Sequence, residues 1–157
     1  MSSYLLLKFL HILSAIVVAG TGVGIAFFML MVSRSKNIEA IAITARHVVL
    51  ADWLFTLPAV VVQLATGLLL MKTLSYSFSS LWFLTVISLF IFIGLCWVPV
   101  LVIQYRLRAL AAMALIDGRL PPRFVQLMRA WVGLGIPAFF AIVGMIWLMV
   151  AKPIPVF

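Results

Sequence analysis

Charged residues are scarce in this chain, and acidic residues are almost missing. Only 9% of the 157 residues are charged, and Asp and Glu together number 3. Soluble domains are about a quarter charged, so this scarcity excludes an ordinary soluble fold. Hydrophobic residues instead make up 67% of the chain. The composition therefore predicts an integral membrane protein.

Cysteine is also nearly absent, since Cys96 is the only one in the chain. A single cysteine cannot form an intramolecular disulfide, and its place inside an apolar run favours packing. The sequence also lacks a glycine-rich phosphate loop attached to a strand. The GTGVG segment at residues 20–24 lies inside an apolar run, where small residues let helices approach closely. We therefore do not predict nucleotide binding.

Four apolar runs fill most of the chain, and each is long enough to cross a bilayer. A helix needs about 20 apolar residues to span a hydrocarbon core of about 30 Å. The first run is about twice the length of a signal-peptide core, so we expect it to remain in the mature fold. We predict a single all-α domain, residues 1–157, that forms an antiparallel four-helix transmembrane bundle. Its helices are predicted at approximately 4–32, 47–71, 81–103 and 130–151, with kinks near Pro58 and Pro137.

The basic residues are distributed unevenly between the two sides of the predicted bundle. The predicted loops 33–46 and 104–129 contain eight of the 11, namely Arg34, Lys36, Arg46, Arg106, Arg108, Arg119, Arg123 and Arg129. The other side has Lys8, Lys72 and Lys152. Because cytoplasmic loops are rich in Lys and Arg, we predict that both loops are cytoplasmic and that both termini face outward. The net charge of +8 then reflects topology rather than nucleic-acid binding.

The longer of these loops contains two signals that break a helix. It begins as a continuation of the third predicted helix, and Asp117-Gly118 and Pro121-Pro122 then interrupt the helical pattern. We expect the chain to turn at these two dipeptides.

A stripe of polar residues on the second predicted helix marks a face that lipid would not accept. Asp52, Thr56 and Gln63 fall within about 40° of one another at about 100° per residue. A charged residue near the centre of a span costs about 2.5–3.5 kcal/mol, so we expect Asp52 to have partners. The network either locks the bundle or carries protons or a small solute. Its other predicted members are Gln104 and either Arg108 or Arg129.

His11 is the candidate for binding a cofactor. Its face of the first predicted helix continues through the small residues Ser14, Ala15, Val18 and Gly22. Such a groove accepts either a neighbouring helix or a flat haem b macrocycle whose iron the imidazole holds. A hydrogen bond to a neighbouring helix and the binding of copper are the alternatives.

A second iron ligand would have to lie at the depth of His11 in the membrane. His47 does not lie at this depth. On the second helix, the level that corresponds to His11 is about 27 Å away from His47 along the helix axis. His47 is then an interfacial residue or part of a separate site. The residues predicted at the depth of His11 are Gln63, Gly144, Met145 and Met149. We predict Met145 as the second ligand and Gly144 as part of the groove, with simple packing of Met145 as the alternative.

Several segments of the chain resemble a known family. LKFLHILSAIVVAGTG, ADWLFTLPAVVVQLATGLLLM, WVPVLVIQYRLRALA and the closing MVAKP together resemble the bacterial membrane family catalogued as domain-of-unknown-function family 2269. The resemblance covers nearly the whole chain and implies a four-helix inner-membrane protein, with no activity to transfer. Lys8 and His11 form a KxxH pattern similar to that of haem-containing membrane protoporphyrinogen oxidases and copper-resistance membrane domains. This local likeness implies only that His11 is a haem ligand.

Three functions are compatible with these features. The first is a b-type haem protein that transfers electrons or oxidises a lipophilic substrate. The second is a non-catalytic subunit that assembles with itself or with a larger membrane complex through Gly20 and Gly24, on the side opposite His11. The third is a proton or small-solute pathway around Asp52. A hydrolase is disfavoured because Asp52 and His11 belong to opposite halves of the membrane, and the sequence leaves open whether the protein is an enzyme.

Overall fold

The computed structural model describes residues 3–151, and the regular structure in this range is helical. Its elements are α1 (Ser3–Arg34), α2 (Ile38–Ala51), a π-helical turn (Asp52–Thr56), α3 (Leu57–Thr73), α4 (Leu81–Asp117) and α5 (Pro122–Ala151). Because α2, the π-helical turn and α3 form one continuous span, four helices are long and apolar enough to cross a membrane. The all-α fold with four spans is therefore confirmed. Lys152 lies outside the described residues.

The helices extend well into the segments 33–46 and 104–129, which were predicted as loops. In the first segment α2 already begins at Ile38. The preceding residue, Asn37, is its N-cap: the side-chain oxygen accepts a hydrogen bond of 3.0 Å from a backbone N–H in the first turn. Apolar length predicts where a helix crosses the membrane, whereas caps decide where the helix ends. The two connections are consequently short turns.

The second of these turns uses the dipeptides that the sequence predicted as breaks. α4 ends at Asp117, and Gly118 follows with φ of 70°. This left-handed conformation suits glycine and is a common way for a helix to end. Pro122 then begins α5, where its missing N–H leaves no helical hydrogen bond unmade.

The second span widens into the π-helical turn immediately before Pro58. A proline inside a helix lacks an N–H, and its ring collides with the carbonyl group four residues earlier. The wider turn accommodates this, and the N–H of Leu57 donates to the carbonyl of Asp52, five residues away. Asp52 and Thr56 are buried while the three residues between them are exposed, so the turn directs both polar side chains inwards. By contrast, α5 continues as one helix through Pro137.

The helices pack closely at one end of the bundle, whereas α3 lies apart from α4 and α5 towards the other end. We call the closely packed end, which contains the connections 35–37 and 118–121, the basic end. Here α2 packs against both α1 and α4. The core at this end consists of Met29, Ile41, Ala45, Val48, Leu107, Ala111, Phe124, Leu127, Met128 and Trp131. Further along, α3 packs against α1, but within residues 3–151 its backbone does not approach α4 or α5 closely. A wedge therefore opens between α3 and the α4–α5 pair.

Candidate functional site

A cluster of four polar side chains joins α1 to α3 in the half of the bundle away from the basic end. Nδ1 of His11 lies 3.0 Å from Oγ1 of Thr66, and Nε2 of His11 lies 3.1 Å from the amide nitrogen of Gln63. The Ser14 hydroxyl donates to the amide oxygen of Gln63. We call these residues the His11 cluster. Three of its members come from positions that the sequence placed on interior faces, and Thr66 extends the polar stripe of the second span.

The hydrogen bonds of the His11 cluster specify a protonation pattern. With Gln63 oriented so that its amide nitrogen faces the ring, Nε2 of His11 accepts a hydrogen bond. Nδ1 then carries the proton and donates to Thr66, whose hydroxyl donates in turn to the carbonyl of Val62 at 2.6 Å. His11 in this arrangement is a neutral imidazole with both ring nitrogens hydrogen-bonded.

Gly67 allows the imidazole to lie directly against α3. A Cβ atom at this position would be only 3.1 Å from Cε1 of His11, tighter than ordinary van der Waals contact. The small residue that leaves room for the imidazole is therefore Gly67 on α3. Gly22 is exposed and Gly144 half-buried, and among the described residues neither lines the cavity beside His11. Their predicted role as a groove for a cofactor stays a prediction.

A cavity of about 400 Å³ lies beside the His11 cluster, in the wedge between the helices. Its volume is within the range of about 300–1,000 Å³ that is typical of small-molecule sites. His11, Gln63 and Met145 all line it, so the residues predicted at one depth do face one space. Most of the remaining lining is apolar and comes from α3 and α4, for example Leu68 and Phe90.

The end of the cavity away from the basic end combines a positive charge with aromatic rings. The Lys8 ammonium group lies 5.8 Å from the centre of the Tyr4 ring, and both residues line the cavity. Trp82 donates from its indole nitrogen to the carbonyl of Leu148 at 3.0 Å, which ties α4 to α5. The Tyr76 ring packs edge-on against Trp82 with ring centres 6.3 Å apart. Sequence reasoning missed these residues as cavity lining, because their position depends on the wedge.

Three further polar side chains are buried nearer the basic end. Asp52, Thr56 and Gln104 are only 4%, 6% and 4% exposed. In the described part of the chain, Oδ2 of Asp52, Oγ1 of Thr56 and Oε1 of Gln104 have no hydrogen-bond partner. The side chains of Arg108 and Arg129 are exposed, and the predicted network that includes one of them stays a prediction. We call these three buried residues the Asp52 cluster.

The remaining candidates for metal chemistry do not form a cluster of ligands. Among residues 3–151, no three His, Cys, Asp or Glu side chains come together in a way that would hold a metal ion. His47 is exposed, and Cys96 is a buried free thiol. His11, Gln63, Met145 and Met149, which the sequence placed at one depth, line the same cavity.

Comparison with known proteins identifies the family of the chain. No curated protein and no solved structure matches it. The family described as "Predicted integral membrane protein (DUF2269)" matches residues 5–153. This match extends over all four spans, and the chain therefore belongs to this family of predicted integral membrane proteins.

Proposed function

We propose that this protein binds a hydrophobic small molecule within the bilayer, in the cavity beside His11. The observation that carries the proposal is a compact polar cluster on the wall of an otherwise apolar space of about 400 Å³. Small-molecule sites typically have this composition, because apolar walls provide affinity and a few placed polar groups fix orientation. In the same proposal the bundle is antiparallel, and its basic end faces the cytoplasm of a bacterial inner membrane.

The polar groups of the cavity define the kind of ligand that would fit. If their mutual hydrogen bond opens, Nε2 of His11 can accept one from a hydroxyl group, and the amide of Gln63 can donate one to a carbonyl or hydroxyl group. Lys8 adds a positive charge at the end away from the basic end. The expected ligand is thus an amphiphile with a hydrogen-bonding group beside His11, and an anionic group is favoured near Lys8.

Haem b is the specific ligand that we propose for this cavity and that the first experiment tests. In support, Nδ1 of His11 donates to Thr66, and an outer hydrogen bond of this type orients most metal-binding imidazoles. Met145 lines the same cavity and is a thioether of the kind that ligates haem iron. His11 would hold the iron through Nε2 once the amide of Gln63 turns away. Bound haem would supply one-electron redox chemistry.

The absorption spectrum of the purified protein tests haem binding. Wild type, His11→Ala and the matched control His47→Ala are prepared from haem-replete cells and recorded oxidised and dithionite-reduced. We expect a Soret band in wild type and in His47→Ala, because His47 is exposed and lies outside the cavity. The band should be lost in His11→Ala. A colourless wild type would rule out haem and leave the broader proposal to the next test.

Mass spectrometry of co-purifying lipophiles tests the broader proposal. Val86→Phe should fill part of the cavity and reduce the amount of bound lipophile, because Val86 lines it. Val98→Phe makes the same change on the outer face of α4, where Val98 is exposed, and should leave binding unchanged. A wild type that retains neither haem nor another lipophile would contradict the proposal. Assembly through Gly20 and Gly24 stays a separate prediction.

A further inference from the structure

The Asp52 cluster lies apart from the cavity and points to a second site. The Trp53 indole donates to the hydroxyl of Tyr105, which brings the π-helical turn and α4 to the same depth. Both side chains of this pair are exposed, at 56% and 44%. Their chain neighbours Asp52 and Gln104 are buried, so both side chains point into the bundle at the depth of this hydrogen bond.

Each of the three side chains offers an oxygen atom as a ligand, and Asp52 is the one acidic residue among them. In the described part of the chain, one oxygen of each lacks a hydrogen-bond partner. A buried carboxylate without compensation is costly, and such groups in membrane proteins are normally paired or functional. The nearest arginines along the helices, Arg46 and Arg106, are exposed.

The π-helical turn contains two of these three residues, Asp52 and Thr56. Turns of this kind are rare and frequently occur at functional sites. Here Asp52 and Thr56 stand at the two ends of the turn, four positions apart, and both are buried on its interior face. Asp52 thus provides the charge, while Thr56 and Gln104 provide neutral oxygens.

We propose that Asp52, Thr56 and Gln104 bind a monovalent alkali cation, with Na⁺ as the probe. Carboxylate, hydroxyl and amide oxygens are ligands that suit hard cations. A single positive charge neutralises the one carboxylate, whereas a divalent ion would leave an excess charge in a poorly polarisable interior. The site gives the predicted small-solute role of Asp52 a definite ligand, and it does not depend on what the cavity binds.

Thermal unfolding of the detergent-purified protein tests the site. Na⁺ replaces choline at constant ionic strength, so that general salt effects stay the same. Because the cation binds the folded state, Tm should rise by about 3–6 °C for each tenfold increase in Na⁺ above the Kd. Asp52→Asn should abolish this rise. Asp117→Asn makes the same chemical change at the exposed end of α4 and should keep it.

A second variant decides the question if Asp52→Asn fails to fold. Thr56→Val keeps the carboxylate and the side-chain shape but removes one oxygen, and it should raise the Na⁺ concentration at which Tm begins to rise about tenfold. His11→Ala should leave the Na⁺ response intact, which separates this test from that of the cavity. The proposal is overturned if wild type unfolds at the same temperature in Na⁺ and choline. It is equally overturned if Thr56→Val responds to Na⁺ as wild type does.

Discussion

Among individual residues, the position of His11 depends most directly on its neighbours in α3. Thr66 and Gln63 engage its two ring nitrogens, and Gly67 leaves room for the ring to approach the helix backbone. The imidazole therefore packs directly against the backbone of α3, because Gly67 has no side chain at the point of contact. Substitution of the glycine is the simplest way to test this contact.

Gly67→Ala is predicted to lose the stabilisation that alanine normally brings to a helix. Replacing a helical glycine by alanine gains about 1 kcal/mol, but at this position the new Cβ would lie 3.1 Å from His11. The control is Gly94→Ala in α4, where an added Cβ has nothing within 4 Å among the described residues. Thermal unfolding should show a higher Tm for Gly94→Ala and an unchanged or lower Tm for Gly67→Ala. Equal stabilisation by both would contradict the close approach of His11 to α3.

Ser14 and Gln63 are predicted to be energetically coupled. Their hydrogen bond joins α1 to α3 in the membrane, where such bonds contribute about 0.6 kcal/mol on average and at most about 1.7 kcal/mol. A double-mutant cycle with Ser14→Ala and Gln63→Leu, measured by equilibrium unfolding, should give a coupling energy of that size. Strictly additive effects of the two changes would show that the bond does not contribute to stability.

The sequence predicted part of the site because depth follows from simple helix geometry. A constant rise of 1.5 Å per residue placed Gln63 and Met145 at the depth of His11, and all three line the cavity. Partners of long side chains are less predictable, since an arginine near the end of a span can extend to the interface. Arg108 shares a predicted face with Gln104, yet its side chain is exposed while Gln104 is buried.

At the scale of the elements, helix caps and one proline explain where the structure departs from the spans predicted from the apolar runs of the sequence. The apolar runs located the four spans, but they contain no information on how far a helix continues beyond the bilayer. Asn37 and Gly118 are the residues that set those ends. The π-helical turn before Pro58 was expected only as a kink, because the proline indicates a disturbance without specifying its form.

Gly118→Ala is predicted to destabilise the end of α4. Gly118 has φ of 70°, a conformation that costs about 1–2 kcal/mol for a residue with a Cβ. Gly133→Ala in α5 is the matched control, because its added Cβ meets nothing within 4 Å in the described residues. We expect a lower Tm for Gly118→Ala and a higher one for Gly133→Ala. A neutral effect at Gly118 would mean that this turn is not needed for stability.

At the scale of the whole molecule, the packing is unequal along the bundle axis. The buried hydrophobic core lies at the basic end, and the cavity lies in the other half. This inequality follows from the side chains: small and branched residues such as Ala45, Val48 and Ala111 let α2 and α4 approach closely. It could not be derived from hydropathy, which is high in every span.

The orientation of the molecule is predicted from its arginines and can be measured by cysteine labelling. In a Cys96→Ala background, Ser35→Cys places a thiol at the basic end and Ser79→Cys places one in the turn between α3 and α4. A membrane-impermeant maleimide should label Ser79→Cys in intact cells and Ser35→Cys only after lysis, because loops rich in arginine remain in the cytoplasm. The reverse pattern would invert the proposed orientation.

The wedge between α3 and α4 also determines how a ligand would reach the protein. An opening between two lipid-facing helices communicates with the acyl chains, so a hydrophobic molecule can arrive by lateral diffusion without crossing water. Occupancy would then follow the mole fraction of the ligand in the surrounding lipid rather than its aqueous concentration. The same protein would accordingly fill its cavity to different degrees in membranes of different lipid composition.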